Sequence, residues 1–163
     1  MDAIDDEIDG LGATRHYATD SVAVQADFDA LPFAPGQFDL VVFNGSLHYA
    51  ADTAATLEQA HRMLAPEGVL VVMDSPMFRA DGDGSAMVGA TLQRFKDDCG
   101  CSDVVQPGAG YLTFSRLAGV AEKLALRPRF VPSRGPLGWR LRRSVSRVRL
   151  GRAPAAFGLW VAQ

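Results

Sequence analysis

The apolar positions of residues 38–74 follow a strand, helix, strand pattern. Phe38–Phe43 is a short apolar run rich in β-branched and aromatic residues, which is typical of a strand buried on both faces. Apolar residues then recur at helical spacing from Leu57 to Leu64, and Val69–Met73 repeats the strand pattern. Because the connection is long enough for a helical crossover, we expect the two strands to be parallel. The pattern predicts an α/β fold.

Turn and capping residues set the expected ends of these and other elements. Asp52 or Thr53 is the candidate N-cap of the helix, and Pro66-Glu67-Gly68 is expected to end it. Farther along the chain, Thr113 is expected to cap an amphipathic helix. The remaining predicted elements are a short strand at Val22–Gln25, a helix at 85–98, and strands at Arg129–Val131 and Phe157–Ala162.

The composition is that of a single globular domain, which we assign to residues 1–163. Of the 163 residues, 48% are apolar and 21% are charged, a balance that supports a sizeable core and excludes a disordered chain. No apolar run approaches the ~20 residues that a membrane-spanning helix needs, so we expect no membrane partner. The acidic residues 1–9 are unlike a secretory signal or a transit peptide. Cys99 and Cys101 are too close to suggest a disulfide framework, and a cytoplasmic protein is the default expectation.

Charge is unevenly distributed along the chain. Residues 1–29 hold eight acidic residues and one arginine, whereas no acidic residue follows Glu122, after which come Lys123 and nine arginines. The Arg-rich connection 134–156 could contact nucleic acid, an anionic membrane or an acidic substrate, or it could be a solvated helix face. Because few aromatic residues interrupt it, a platform for stacking bases is disfavoured.

Four short segments occur in order along the first half of the chain. They are Ala26–Phe33, Gln37–Val42, Ser46–Tyr49 and His61–Val72. In this order and at this spacing they resemble the class I S-adenosylmethionine-dependent methyltransferases, where such segments follow the third strand, form the fourth and lead into the fifth. The resemblance implies a Rossmann-like, mostly parallel sheet with helices on both faces and an antiparallel last strand.

One feature of that family is missing from the sequence. The family binds its cofactor through a Gly-rich turn after the first strand, where glycine lets the backbone approach the ligand. No such turn precedes residue 27, and Gly10-Leu11-Gly12 follows an acidic stretch rather than an apolar strand. We therefore expect a methyltransferase-like domain truncated at its N-terminus, without its first two strands and first helix.

The resemblance also implies which residues contact the cofactor, S-adenosylmethionine. Asp27 would accept a hydrogen bond from the adenine amino group, and Phe28 would offer its backbone amide to the ring. Asp2 or Asp5 could be the acid that binds the ribose hydroxyls. Three residues at the carboxyl end of the strand 38–43 would line the methionine end, and these are Asn44, Gly45 and Ser46.

Catalytic and substrate residues are predicted beyond that strand. His48 could be a general base on a substrate hydroxyl, or it could only pack against the cofactor or the following helix. Residues 75–112 fall where the family has a substrate cap, and their apolar side chains could line the pocket or pack the extra helix. These side chains are Met77, Phe78, Met87, Phe95 and Tyr111. No second Cys or His pair stands at zinc-like spacing from Cys99 and Cys101, so we expect no metal.

Three functions follow as hypotheses. The first is methyl transfer to a small-molecule acceptor by a chain that lacks part of the cofactor site. The second is a catalytically inactive methyltransferase-like fragment or binding module, and the third is a nucleic-acid binder that uses the Arg-rich tail. Because the family places its first strand beside the fourth, we expect a chain without it to expose the backbone edge of Phe38–Phe43 and to be poorly soluble or to self-associate.

Overall fold

A computed structural model describes residues 22–27, 29–100, 108–133, 135–136, 138, 145 and 149–163. The sequence predicts one domain over residues 1–163, and within it the contacts separate two compact units, Met1–Pro32 and Phe33–Gln163. Most of the Arg-rich connection 134–156 lies outside the described residues.

The described part of the first unit contains a turn at Asp27. The Asp27 carboxylate accepts a hydrogen bond from the Asp29 amide at 2.9 Å, and the Asp27 carbonyl accepts one from the Ala30 amide, also at 2.9 Å. The strand predicted at Val22–Gln25 is wrong, because residues 22–27 form no strand and Val22 is 90% exposed. A weak alternation of apolar residues over four positions is a poor signal for a strand.

The second unit is an α/β structure built on a four-stranded sheet. Its strands are β1 (Phe38–Asn44), β2 (Leu64–Met73), β5 (Pro128–Pro132) and β6 (Gly158–Ala162), in the order β1-β2-β6-β5. A two-stranded sheet pairs β3 (Met77–Phe78) with β4 (Leu112–Thr113). The helices are α1 (Thr53–Met63), α2 (Asp81–Cys99) and α3 (Phe114–Lys123), and a 3-10 helix spans Leu47–Tyr49.

The strand directions match the sequence prediction. β1 and β2 are parallel and are connected through α1, and β6 is antiparallel to both β2 and β5. The Asp52 carboxylate accepts the Ala54 and Ala55 amides, and the Thr113 hydroxyl accepts the Arg116 amide, so both predicted N-caps are present. The α/β class and the antiparallel last strand are therefore confirmed.

Pro66-Glu67-Gly68 has a different role from the one predicted. α1 already ends at Met63, and the three residues lie within β2. The pairing with β1 jumps from Phe38 opposite Leu64 to Leu40 opposite Val69, so this segment forms an irregularity in the strand, with Glu67 at a φ of 67°. Proline, which cannot donate to a ladder, is tolerated at such a place.

The core lies on one face of the four-stranded sheet. Alternate residues of β2, Leu70 and Val72, are fully buried, and α1 and α3 contribute buried residues to the same unit. On the other side of β1, Leu40 and Val42 are 55% and 44% exposed. The predicted burial of this strand on both faces is wrong, because the face that carries Leu40 and Val42 is exposed and only the opposite face, with Phe43, is buried.

Candidate functional site

The carboxyl ends of β1 and β2 lie side by side because the two strands are parallel, and this is the edge where open α/β sheets bind ligands. Asn44, the last residue of β1, is paired with Met73. The next amide, that of Gly45, donates to the Met73 carbonyl at 3.0 Å. Gly45 has a φ of 61°, a conformation that glycine adopts without strain.

The residue at this edge that is best suited to acid–base chemistry is His48. It lies in the 3-10 helix after β1 and is only 8% exposed. Its Nδ1 is 3.1 Å from the Oγ of Ser75, a fully buried residue just after the end of β2. Burial lowers the pKa of the His48 imidazole below its ordinary value, because the charged form loses solvation.

A cleft of about 240 Å³ opens beside His48. Its described lining residues are neutral and mostly apolar. They are His48, Tyr49, Pro76, Met87, Val88, Thr91, Leu92 and Gly110. The cleft therefore joins the end of the parallel strands to one face of α2.

The segment before β4 holds the 3-10 helix in place. The Gly110 amide donates to the His48 carbonyl at 3.0 Å. A Cβ on Gly108 would lie 2.6 Å from the Ala50 carbonyl oxygen and 2.7 Å from that of His48, so only glycine fits there. This close approach fixes the backbone that carries His48.

The side chains predicted to line the substrate pocket lie in three different environments in the structure. Met77, Phe78 and Tyr111 are buried in the core, where the rings of Phe78 and Tyr111 meet edge to face at 5.9 Å. Phe95 is 48% exposed on α2. None of these four is among the described residues of the cleft wall, whereas Met87 is.

Sequence reasoning missed the rest of the cleft wall. Met87, Val88, Thr91 and Leu92 share a helix face because they are three or four residues apart. That spacing was readable from the sequence. Ser75 had a weaker signal, which was only its position just after a strand that ends at the same edge as β1.

The structure describes only some of the residues predicted to contact the cofactor. Asp2 and Phe28 lie outside the described residues, and Asp27 belongs to the first unit. Asn44 is exposed at the end of β1, with Gly45 and Ser46 half-buried after it. In the described part of the chain, no group of three or more His, Cys, Asp or Glu side chains is placed to hold a metal ion.

Two comparisons bear on the family. Residues 4–72 match the family model described as a methyltransferase domain. The solved S-adenosylmethionine dependent methyltransferase from Mesorhizobium loti aligns with a TM-score of 0.61 over 94% of this chain and 74% of its own, at 19% identity, which shows a shared fold. The chain is similar to the class I methyltransferases in sequence and in fold. The resemblance predicted from the four segments is confirmed, and S-adenosylmethionine is the cofactor that it implies.

The names of two curated relatives state different activities. The human mitochondrial arginine-hydroxylase NDUFAF5 is 34% identical over 101 residues, which are 62% of this chain and 28% of that protein. The malonyl-[acyl-carrier protein] O-methyltransferase of Enterobacter lignolyticus is 41% identical over 58 residues, or 36% of this chain and 23% of that protein. The chain thus spans less than a third of the length of these two relatives. None of the described helices is long and apolar enough to cross a membrane, and location in the cytoplasm stays a prediction.

Proposed function

We propose that this chain is part of an S-adenosylmethionine-dependent methyltransferase whose acceptor is a small molecule that binds in the cleft beside His48. The observation that carries the proposal is a buried histidine on the wall of a mostly apolar cleft at the carboxyl ends of two parallel strands. At about 240 Å³, the cleft is smaller than the roughly 300 Å³ at the low end of drug-sized ligand pockets. A small acceptor matches that volume.

The lining also argues against a charged acceptor. The described residues of the cleft wall include no carboxylate, so none of them would pair with a guanidinium group such as that of an arginine side chain. A neutral molecule needs no such partner. The name of the human relative therefore does not transfer to the acceptor proposed for this chain.

The residues after β1 fit the amino-acid end of the cofactor. The Asn44 side chain is exposed and offers both a donor and an acceptor to an ammonium and a carboxylate. A Cβ on Gly45 would have only the Asp74 carbonyl oxygen within 4 Å, at 3.8 Å, so the backbone here is open to a ligand. We assign this end to Asn44, Gly45 and Ser46.

The chain's own residues then position and deprotonate the acceptor. When bound, S-adenosylmethionine supplies a methyl group on a positively charged sulfur, which is already electrophilic. The apolar wall of the cleft excludes water and holds the acceptor in place, and most of the rate enhancement comes from that positioning. His48 receives the proton that a hydroxyl acceptor must lose.

The site is tested by a titration that locates the ligand. We would follow the backbone amide resonances of the ¹⁵N-labelled chain as S-adenosylhomocysteine, the demethylated product, is added. Saturable shifts are expected at residues 44–48, with weaker binding in Asn44→Ala and unchanged binding in Glu58→Ala, an exposed position on α1. Shifts confined to other parts of the chain would refute the assigned site.

A further inference from the structure

We infer that Ser75 fixes His48 in the tautomer that carries its proton on Nδ1, which leaves Nε2 as a proton acceptor for a neutral phenolic hydroxyl in the cleft. The inference rests on the proposed function and names its substrate class. Ser75 is a positioning residue in this account, since it acts through His48 and does not line the cleft.

The hydrogen bonds of Ser75 decide the tautomer. Its Oγ contacts two groups, Nδ1 of His48 at 3.1 Å and the carbonyl oxygen of Met73 at 3.4 Å. A carbonyl can only accept, so if both contacts are hydrogen bonds the single hydroxyl proton of Ser75 must be donated to Met73. The contact with His48 is then a hydrogen bond only if Nδ1 carries the proton and donates it to Ser75. Both contacts are satisfied by this one arrangement.

The other ring nitrogen is the one that faces a ligand. Nδ1 is the only nitrogen of His48 with a hydrogen-bond partner among the described residues. In the same part of the chain, no buried side-chain nitrogen or oxygen lacks a partner, so Nε2 is not sealed in the core. Since His48 lines the cleft, we infer that Nε2 is the ring nitrogen that faces it.

The residues of the cleft wall favour an acceptor whose hydroxyl is weakly acidic, such as a phenol. Burial lowers the pKa of His48, so the ring is neutral at pH 7 but is a weak base. A phenol, with a pKa of about 10 for tyrosine, gives up its proton to such a base far more readily than an alcohol does. Tyr49 is the other titratable residue of the described wall, and its ring centroid is 4.1 Å from that of His48. Met87 and Leu92 add apolar surface for a flat ring.

The proton transfer balances without any further reactant. The O–H bond of the acceptor breaks, its electron pair stays on the oxygen, and the proton bonds to Nε2. His48 becomes an imidazolium, which returns the proton to water after the product leaves. The oxygen is then the nucleophile that the proposed methyl transfer needs.

The first test reads the tautomer directly and needs neither cofactor nor substrate. The ring ¹⁵N resonances of His48 are assigned in the labelled chain by their loss in His48→Gln, since the chain has three histidines. At pH 7.5 we expect a protonated Nδ1 and a bare Nε2. Ser75→Ala should lose this preference, and Ser75→Thr, which keeps the hydroxyl, should restore it. A wild-type His48 with its proton on Nε2 would overturn the inference.

The second test reads the substrate class with two matched probes. Phenol and anisole have similar rings, but anisole has no hydroxyl proton to give. We expect phenol to shift the Nε2 resonance of His48 saturably and anisole to leave it unchanged. Equal effects of the two probes would refute the phenolic class. Because neither test uses S-adenosylhomocysteine, failure of the cofactor titration leaves the tautomer result standing, and the two failures are separable.

Discussion

At the scale of single residues, the carboxyl edge of the sheet depends on backbone geometry as much as on side chains. Gly45 has a φ of 61°, and its amide holds the end of β1 to Met73. A Cβ there has ample space, so the cost of any other residue is conformational. A left-handed conformation costs a non-glycine residue about 1–2 kcal/mol.

Gly45→Ala should therefore lower the free energy of unfolding by about 1–2 kcal/mol. The matched control is Gly89→Ala, since Gly89 is exposed within α2 and has open space around it. Alanine is favoured over glycine in a helix by about 1 kcal/mol, so the control should gain stability. Urea unfolding of the two variants would measure both changes, and a loss of equal size in both would contradict this reading of Gly45.

His48 should make the stability of the fold depend on pH. Burial lowers its pKa in the folded chain, whereas the unfolded chain has the ordinary value near 6.5. The unfolded state thus binds the proton more readily, and stability falls as the pH drops below about 6.5. Thermal melting at pH 7.5 and 5.5 should show this loss in the wild type and a smaller one in His48→Gln. His61→Gln in α1 is the control. If the loss of stability at low pH were smaller in His61→Gln but not in His48→Gln, the pH dependence could not be assigned to His48.

At the scale of elements, α2 makes a close contact with Tyr111, the residue just before β4. Gly84 is buried, and a Cβ at this position would overlap the ring of Tyr111, whose hydroxyl is 2.9 Å from the Oγ of Ser85. This contact fixes the helix that supplies half of the cleft wall. Its loss should change the cleft without changing the four-stranded sheet.

Gly84→Ala should destabilise the chain by about 1–3 kcal/mol, the usual cost of overpacking. Gly82→Ala lies two residues earlier in the same helix, where nothing is within 4 Å of the added Cβ, and should not destabilise the chain. Hydrogen exchange of the α2 amides would check the local effect. Unchanged exchange in Gly84→Ala would show that α2 does not depend on this contact.

Element prediction from the sequence succeeded where the signal is local. Asp52 and Thr113 were recognised as N-caps because a cap is encoded within four residues of the chain. The strand at Val22–Gln25 and the burial of β1 on both faces were wrong because each depends on neighbours that lie far away in sequence. The Ser75–His48 pair escaped prediction for the same reason, since 27 residues separate its members.

At the scale of the whole molecule, the described sheet has an unpaired edge. β1 pairs with β2 alone, and its side chains Leu40 and Val42 are 55% and 44% exposed. A row of free backbone groups beside apolar side chains is a template for pairing with another chain. The sequence predicted this edge from the family's strand order, and self-association itself stays a prediction.

The isolated chain should therefore form oligomers that increase with concentration. Light scattering coupled to gel filtration would measure the mass, and Val42→Lys should shift it toward the monomer because a charge on an edge strand disfavours pairing. The control is Val22→Lys, at an exposed position in the first unit. A wild-type chain that is a monodisperse monomer at all concentrations and melts cooperatively would contradict the prediction.

The central claim is that this chain is part of a methyltransferase and binds the cofactor. Calorimetric titration with S-adenosylhomocysteine tests it most directly. The sample would first be shown to melt cooperatively, so that a negative result refers to folded protein. The account predicts saturable one-to-one binding that is weakened by Asn44→Ala and retained in Glu58→Ala. No detectable binding by a folded sample would contradict it and would favour a catalytically inactive methyltransferase-like fragment.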